Sequence, residues 1–178
     1  LFLTGYKDIT IRDIKNFRQL NGKCAGHPEY GHINGIETTT GPLGQGLGNA
    51  VGMALMERLL ANEFGNKMCN HFTYVIASDG DLMEGISHEA ASFAGHQKLN
   101  KLIVFFDDNG ISIDGPVKLS NSEKTIDRFK SYNWNTIKIN GHKVDEIERA
   151  IKKAQKSSKP TIISCKTKIG FGSPNKQG

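Results

Sequence analysis

Phe72-Thr73-Tyr74-Val75-Ile76-Ala77-Ser78-Asp79-Gly80 and, further along, Leu102-Ile103-Val104-Phe105-Phe106-Asp107-Asp108-Asn109-Gly110 are the stretches whose reading decides the fold. Each is a short apolar run, rich in β-branched and aromatic residues, that stops at an acidic Gly-containing turn. That is the pattern of a buried strand. Leu102 to Phe106 is apolar at every position, as in a parallel sheet covered on both faces. Between the two runs, Ser87 to Leu99 reads as a helix that carries small residues at Ala90, Ala91, Ala94 and Gly95. A strand, a helix and a strand in that order predict parallel pairing with a right-handed crossover.

The alternation continues outward. Downstream, Ile126 to Tyr132 reads as a helix, Thr136 to Ile139 as a strand, Val144 to Ser157 as a helix and Thr161 to Lys166 as a last strand. Upstream, a long helix spans Gly44 to Phe64 and stops at Gly65. Gly44, Gly48 and Gly52 share one face of it. A helical Gly costs about 1 kcal/mol relative to Ala, so the stripe predicts a close neighbour along that face. Asn21 to Pro42, rich in Gly, Thr and His, reads as a long loop, and loops of that length in a compact domain are usually functional. Thr10 is a candidate cap for a helix with Ile11, Ile14, Phe17 and Leu20 at helical spacing. The predicted fold is α/β, a parallel sheet with helices on both faces.

Composition narrows the function classes. The 178 residues suffice for one domain, with 37% hydrophobic and 23% charged content. No apolar run is long enough to span a bilayer, and Leu1 to Tyr6 do not read as a signal peptide. The net charge of +5 comes from scattered lysines. No basic stripe interleaved with aromatics argues for nucleic acid. Cys24, Cys69 and Cys165 form no pair and no ligand cluster; three reduced thiols predict a cytoplasmic protein with no membrane partner. The absence of an initiator Met suggests a start inside a longer chain.

Parallel strands deliver their carboxyl ends to one edge of the sheet, where ligands of open α/β sheets bind. Asp79 and Asn109 therefore converge. A carboxylate and an amide oxygen are hard ligands suited to Mg²⁺ or Ca²⁺, and Mg²⁺ completes its octahedron with phosphate oxygens and water. Gly80 leaves room for an N–H to reach a phosphate oxygen. The residues by themselves thus point to a metal-diphosphate.

Asp79-Gly80 followed at this distance by Asn109 resembles the thiamine-diphosphate motif. Asp79 to Glu89, Asp107 to Gly115, Gly26-His27-Pro28-Glu29, Thr38 to Gly46 and Ile169 to Ser173 resemble transketolase in particular, in order and over nearly the whole chain. The resemblance implies that Asp79 and Asn109 hold the metal with the carbonyl of Ile111. It implies that Gly80 and Asn109 contact the diphosphate, that Gly41, Pro42 and Leu43 line the aminopyrimidine, and that Ile113 and Ile169 meet its rings or serve as core. His27 would move protons beside the reactive carbon. Glu84 and Glu89 would lie near a dimer interface. The other histidines, His32, His88, His96 and His142, read as surface residues. Two positions depart from the family pattern: Ser78 stands where it has Gly, and Asp81 where it has a small or apolar residue.

The implied activity is transfer of a two-carbon ketol unit from a ketose phosphate to an aldose phosphate, with thiamine diphosphate and Mg²⁺, or Ca²⁺ in its place, as cofactors. The implied assembly is a homodimer whose partner subunit completes the site with its second domain. Residues 1–178 would be the diphosphate-binding domain of a longer transketolase, incomplete at both ends and inactive alone. A subunit of a split transketolase and a non-catalytic interaction module remain as alternatives.

Overall fold

A computed structural model describes residues 1–178. Four strands form one parallel sheet: β1 (Thr73–Ala77), β2 (Leu102–Asp108), β5 (Asn135–Asn140) and β6 (Thr161–Lys166), in spatial order β1-β2-β6-β5. A two-residue antiparallel ribbon, β3 (Ile111–Ser112) with β4 (Gly115–Pro116), follows β2. The helices are α1 (Ile11–Lys15), α2 (Gln45–Phe64), α3 (Asp79–Met83), α4 (Gly85–His96), α5 (Thr125–Ser131) and α6 (Val144–Ala154).

The uniformly apolar β2 explains the layering. Its alternate residues point to opposite faces. Leu102, Val104 and Phe106 enter a core with Leu47, Ala50 and Ala54 of α2, Ala91 and Ala94 of α4, and Phe129 of α5. Ile103, on the other face, meets Ala150 and Ala154 of α6, together with Ile163 and Cys165 of β6. Helices thus cover both faces, as the sequence predicts. The cover is incomplete over β1, where Ile76 is 82% exposed and Tyr74 is 48% exposed.

Polar ties fix the helices to the sheet. Glu57 of α2, almost fully buried, pairs with Lys101 at 2.5 Å, just before β2. Arg58 donates to the carbonyls of Gln97 and Lys98, which closes the carboxyl end of α4. The Trp134 indole N–H donates to the Ala91 carbonyl at 2.8 Å, and its ring meets Phe129 edge-on at 5.0 Å.

Three elements differ from expectation. The helix capped by Thr10 ends at Lys15, because Arg18 takes a left-handed φ of 61° and its N–H turns back to the Cys24 carbonyl. Its apolar stripe stays exposed, with Phe17 at 53% and Leu20 at 93%. The Asp79-Gly80 turn is instead the first turn of α3, nucleated by a capping box between Ser78 and Asp81. The glycine stripe of α2 is only partly answered: Cβ atoms on Gly44 and Gly48 would meet Ile86, whereas one on Gly52 would meet nothing within 4 Å.

Gly95 shows how tightly α4 sits. A Cβ there would fall on the Tyr132 carbonyl oxygen and 3.0 Å from the Trp134 ring. Gly95→Ala is expected to destabilise the fold by about 3 kcal/mol, the upper range for overpacking against backbone. Chemical denaturation of the variant beside the wild type measures this directly.

Candidate cofactor and metal site

β1, β2 and β6 end on the same edge of the sheet, and the charged residues gather there. Asp79 opens α3 directly after β1 and is 7% exposed. Its Oδ2 is buried and has no hydrogen-bond partner. Burial, then the negative charges of Asp108 and Asp107, push its pKa above the usual carboxylate value, with Lys166 pulling the other way. Cys165 feels the same surroundings; burial and Asp107 raise its thiol to about 11, which makes it an inert thiol.

The neighbouring acids are already engaged. Asp107 accepts from the Asn109 side-chain amide at 3.1 Å and from the Thr167 hydroxyl. Asp108 accepts from Lys166 at 3.2 Å and from Ser164 at 3.4 Å. Asn109 is thereby oriented: its NH₂ is fixed on Asp107, and its Oδ1 accepts the Ile111 N–H at 2.8 Å. An amide oxygen has two lone pairs, so one remains for a cation. Sequence reading missed Asp107 and Thr167. Their signal was the register, since Asp107 pairs with Cys165 and Thr167 lies just beyond.

Two separate cavities lie on either side of the start of α3. One, of about 340 Å³, is lined by Asp79, Asp108, Gly110, Lys124, Thr125 and Lys138, among others. The other, of about 440 Å³, runs along β1 and holds His27, Thr40, Gly41, Leu43 and Asp81. Leu43 lies close to Gly80, where an added Cβ would stand 3.2 Å from Leu43 Cδ1. His27 lies against Gly41, where an added Cβ would be 3.2 Å from the His27 Cβ and 3.4 Å from Nδ1. Pro42 is exposed on the turn, and its carbonyl accepts the Gln45 N–H.

Ile113 and Ile169 line neither cavity. Ile113 is 90% exposed at the tip of the β3–β4 ribbon with φ 56°, and Ile169 is 44% exposed. Neither side chain belongs to the core formed by these residues. Glu84 and Glu89 are exposed on the α4 side. His88 departs from the surface reading, whereas His142 is exposed as expected. His88 is half-buried between Arg128, at 2.6 Å, and the Tyr132 hydroxyl, at 3.1 Å. His142 stacks on Phe171 at 3.8 Å and accepts the Lys168 N–H.

The donor set suits a cation held jointly with a ligand. No group of three His, Cys, Asp or Glu is placed to enclose a metal ion. The protein offers one unpartnered buried carboxylate and one oriented amide oxygen. A hard divalent ion that keeps phosphate oxygens and water in its shell fits that offer. A buried polar atom without a partner is rare enough to need such an explanation.

No helix is long and apolar enough to cross a membrane. The chain is 51% identical to a transketolase of Sinorhizobium medicae over 176 residues, which cover 99% of this chain and 25% of that one. It is 58% identical to transketolase 1 of Vibrio parahaemolyticus, covering 100% of this chain and 27% of the relative. The chain therefore spans about a quarter of the length of these curated relatives. A solved transketolase of Pichia stipitis, described as a complex with xylulose-5-phosphate, superposes with a TM-score of 0.91 at 46% identity, covering 97% of this chain and 26% of that one. The family model of the transketolase thiamine diphosphate binding domain matches residues 1–178, and the chain belongs to that family.

Proposed function

We propose that these residues form the thiamine-diphosphate- and metal-binding part of a transketolase, which transfers a two-carbon ketol unit between sugar phosphates. The observation that carries this reading is the unpartnered Asp79 Oδ2, buried where three parallel strands end, in a chain of this family. Asp79, Asn109 and the Ile111 carbonyl hold Mg²⁺, which Ca²⁺ can replace. Gly80 and Asn109 meet the diphosphate. Gly41, Pro42 and Leu43 border the aminopyrimidine, with Ile113 and Ile169 against the cofactor from the loops.

Bound thiamine diphosphate supplies the carbanion-stabilising centre, and the protein supplies orientation and proton transfer. His27 stands in the cavity beside Gly41 and Leu43, where an imidazole can hold or release a proton near the reacting atoms. Sugar phosphates are the substrate class, in line with the Pichia stipitis relative described with xylulose-5-phosphate. The remaining catalytic groups come from the rest of a longer, cytoplasmic polypeptide and from the partner subunit of a homodimer. Exposed apolar side chains on α2, such as Met53 and Met56, and on β1 offer surfaces for those parts. Residues 1–178 form one domain that does not turn over substrate alone.

Titration of thiamine diphosphate and Mg²⁺ into the full-length polypeptide tests the assignment. Asp79→Asn is expected to weaken metal-dependent cofactor binding by about a hundredfold, since it removes the one buried charge that faces the cation. Absence of binding in the unaltered protein would instead favour an interaction module.

The same carboxylate sets a pH dependence. Its folded pKa is raised, so the proton competes with the cation, and metal-dependent binding should weaken as pH falls through a value above the ordinary 3.8. A raised pKa means stability present below the unfolded value and lost as pH rises through the folded one. Asp79→Asn should therefore raise the melting temperature of the cation-free protein at neutral pH and remove the acid-side loss of metal binding.

His27→Ala is expected to lower kcat by about 10² to 10⁴ while cofactor affinity stays near that of the wild type. Loss of affinity with unchanged kcat would assign His27 to binding instead.

A further inference from the structure

Asp81 stands at the amino ends of two helices at once. It is the third residue of α3, where its Oδ2 accepts the Ser78 N–H at 2.9 Å and the Ser78 hydroxyl at 2.9 Å. Its Oδ1 accepts the Gly44 N–H at 3.3 Å. Gly44 caps α2, has no side chain to satisfy the free N–H groups of that first turn, and sits at φ 80°. One carboxylate thus serves both helix starts, where the dipoles favour negative charge. The Asp81 carbonyl in turn accepts the Ser87 hydroxyl, which ties α3 to α4.

The geometry around Gly44 leaves that turn one position. It is buried, and a Cβ there would lie 2.8 Å from both Glu84 Cβ and Ile86 Cγ2. The turn it ends carries Gly41, Pro42 and Leu43; the helix that Asp81 belongs to begins with Asp79 and Gly80. Leu43 touches Gly80, and Asp81 lines the cavity that holds His27 and Gly41. No other side chain hydrogen-bonds to a backbone group of the Gly41–Gly44 turn.

We propose that Asp81 is a positioning residue that clamps the Gly41–Gly44 turn to the start of α3, so that the two halves of the cofactor site keep one spacing. The departures at Ser78 and Asp81 are then a single feature. The Ser78 backbone N–H and hydroxyl share one carboxylate oxygen, and the other is left for the Gly44 N–H. The negative charge at Asp81 is absorbed by three donors before it can face a diphosphate. This inference rests on the thiamine diphosphate reading for its functional consequence, though the clamp itself does not.

Three variants of the full-length polypeptide separate a clamp from a simple helix cap: Ser78→Ala, Asp81→Ala and Asp81→Asn. Two readouts apply: thiamine diphosphate affinity at saturating Mg²⁺, and hydrogen exchange of the Gly44 amide in cofactor-free protein. A clamp predicts that Asp81→Ala weakens cofactor affinity about tenfold and speeds Gly44 exchange by a similar factor, the scale of a lost hydrogen bond to a charged group. Turnover should recover toward the wild-type level at saturating cofactor, and Ser78→Ala should change either readout by no more than about twofold. Equal losses in Ser78→Ala and Asp81→Ala would mean that Asp81 only caps α3 and would overturn the proposal. So would unchanged Gly44 exchange in Asp81→Ala; if that variant does not fold, Asp81→Leu, which also lacks an acceptor, decides the matter, whereas Asp81→Asn, which keeps an amide oxygen, should exchange Gly44 more slowly than either. Failure of the unaltered protein to bind thiamine diphosphate would sink the cofactor reading, while the exchange data would still judge the clamp.

Discussion

An ionised carboxylate with a buried, unpartnered oxygen is destabilising unless a cation or a proton neutralises it, and Asp79 is in that position. The rest of the sheet edge is arranged around it. Asp107 and Asp108 lie near enough to raise its pKa, yet neither is free. Thr167 and Asn109 occupy the first, and Lys166 and Ser164 the second. Their charges make the place attractive to a cation, and each already accepts two hydrogen bonds. What is left is a single free carboxylate and one amide lone pair, too little to enclose a metal but sufficient to share one with a phosphate ligand. The parallel register makes this possible, because strands running the same way end together.

This division of labour explains which parts of the site were legible in the sequence. Asp79 and Asn109 follow apolar runs, so topology alone brings them to one edge. The supporting Asp107–Thr167 contact joins the ends of β2 and β6, and only the register of that pair reveals it. Among the elements, β2 was legible because burial on both faces demands continuous apolar sequence. α3 was not, since Asp-Gly is a turn signal, and the capping box that turns it into a helix depends on Ser78 and Asp81 bonding to each other. α1 failed in the opposite way. Its apolar spacing promised a longer helix, but helices this short draw their stability from packing, and Ile11 and Phe17 stay half exposed while Leu20 is 93% exposed.

The exposed apolar surface has a consistent distribution. It lies on α1 and the turns after it, on α2 at Met53, Met56 and Leu59, and on β1 at Tyr74 and Ile76. The interior between α2, α4 and the sheet is closed, with Ala91 and Ala94 fully buried. The chain spans about a quarter of the length of its relatives, and it has its own core while these outer faces stay uncovered. The sheet edge follows the same rule: Asp79 is buried within these residues, whereas His27 is exposed.

Ile113 brings these strands of reasoning together. A β-branched residue at φ 56° is strained, by about 1–3 kcal/mol for such backbone outliers, and at 90% exposure no packing in this chain compensates it. What holds it is the base of its hairpin. Asn109 accepts the Ile111 N–H, the Gly110 carbonyl accepts the Val117 N–H, and Ile111 pairs with Pro116. Asn109, itself held by Asp107 at the end of β2, is thus the residue that pins the ribbon carrying Ile113. The order of the sheet edge and the placement of an exposed apolar side chain are then coupled through one side chain, so that loosening Asn109 would also release the strained tip. An exposed, strained isoleucine is costly, and it persists because hydrogen bonds at the base of the ribbon, rather than packing around it, fix its backbone.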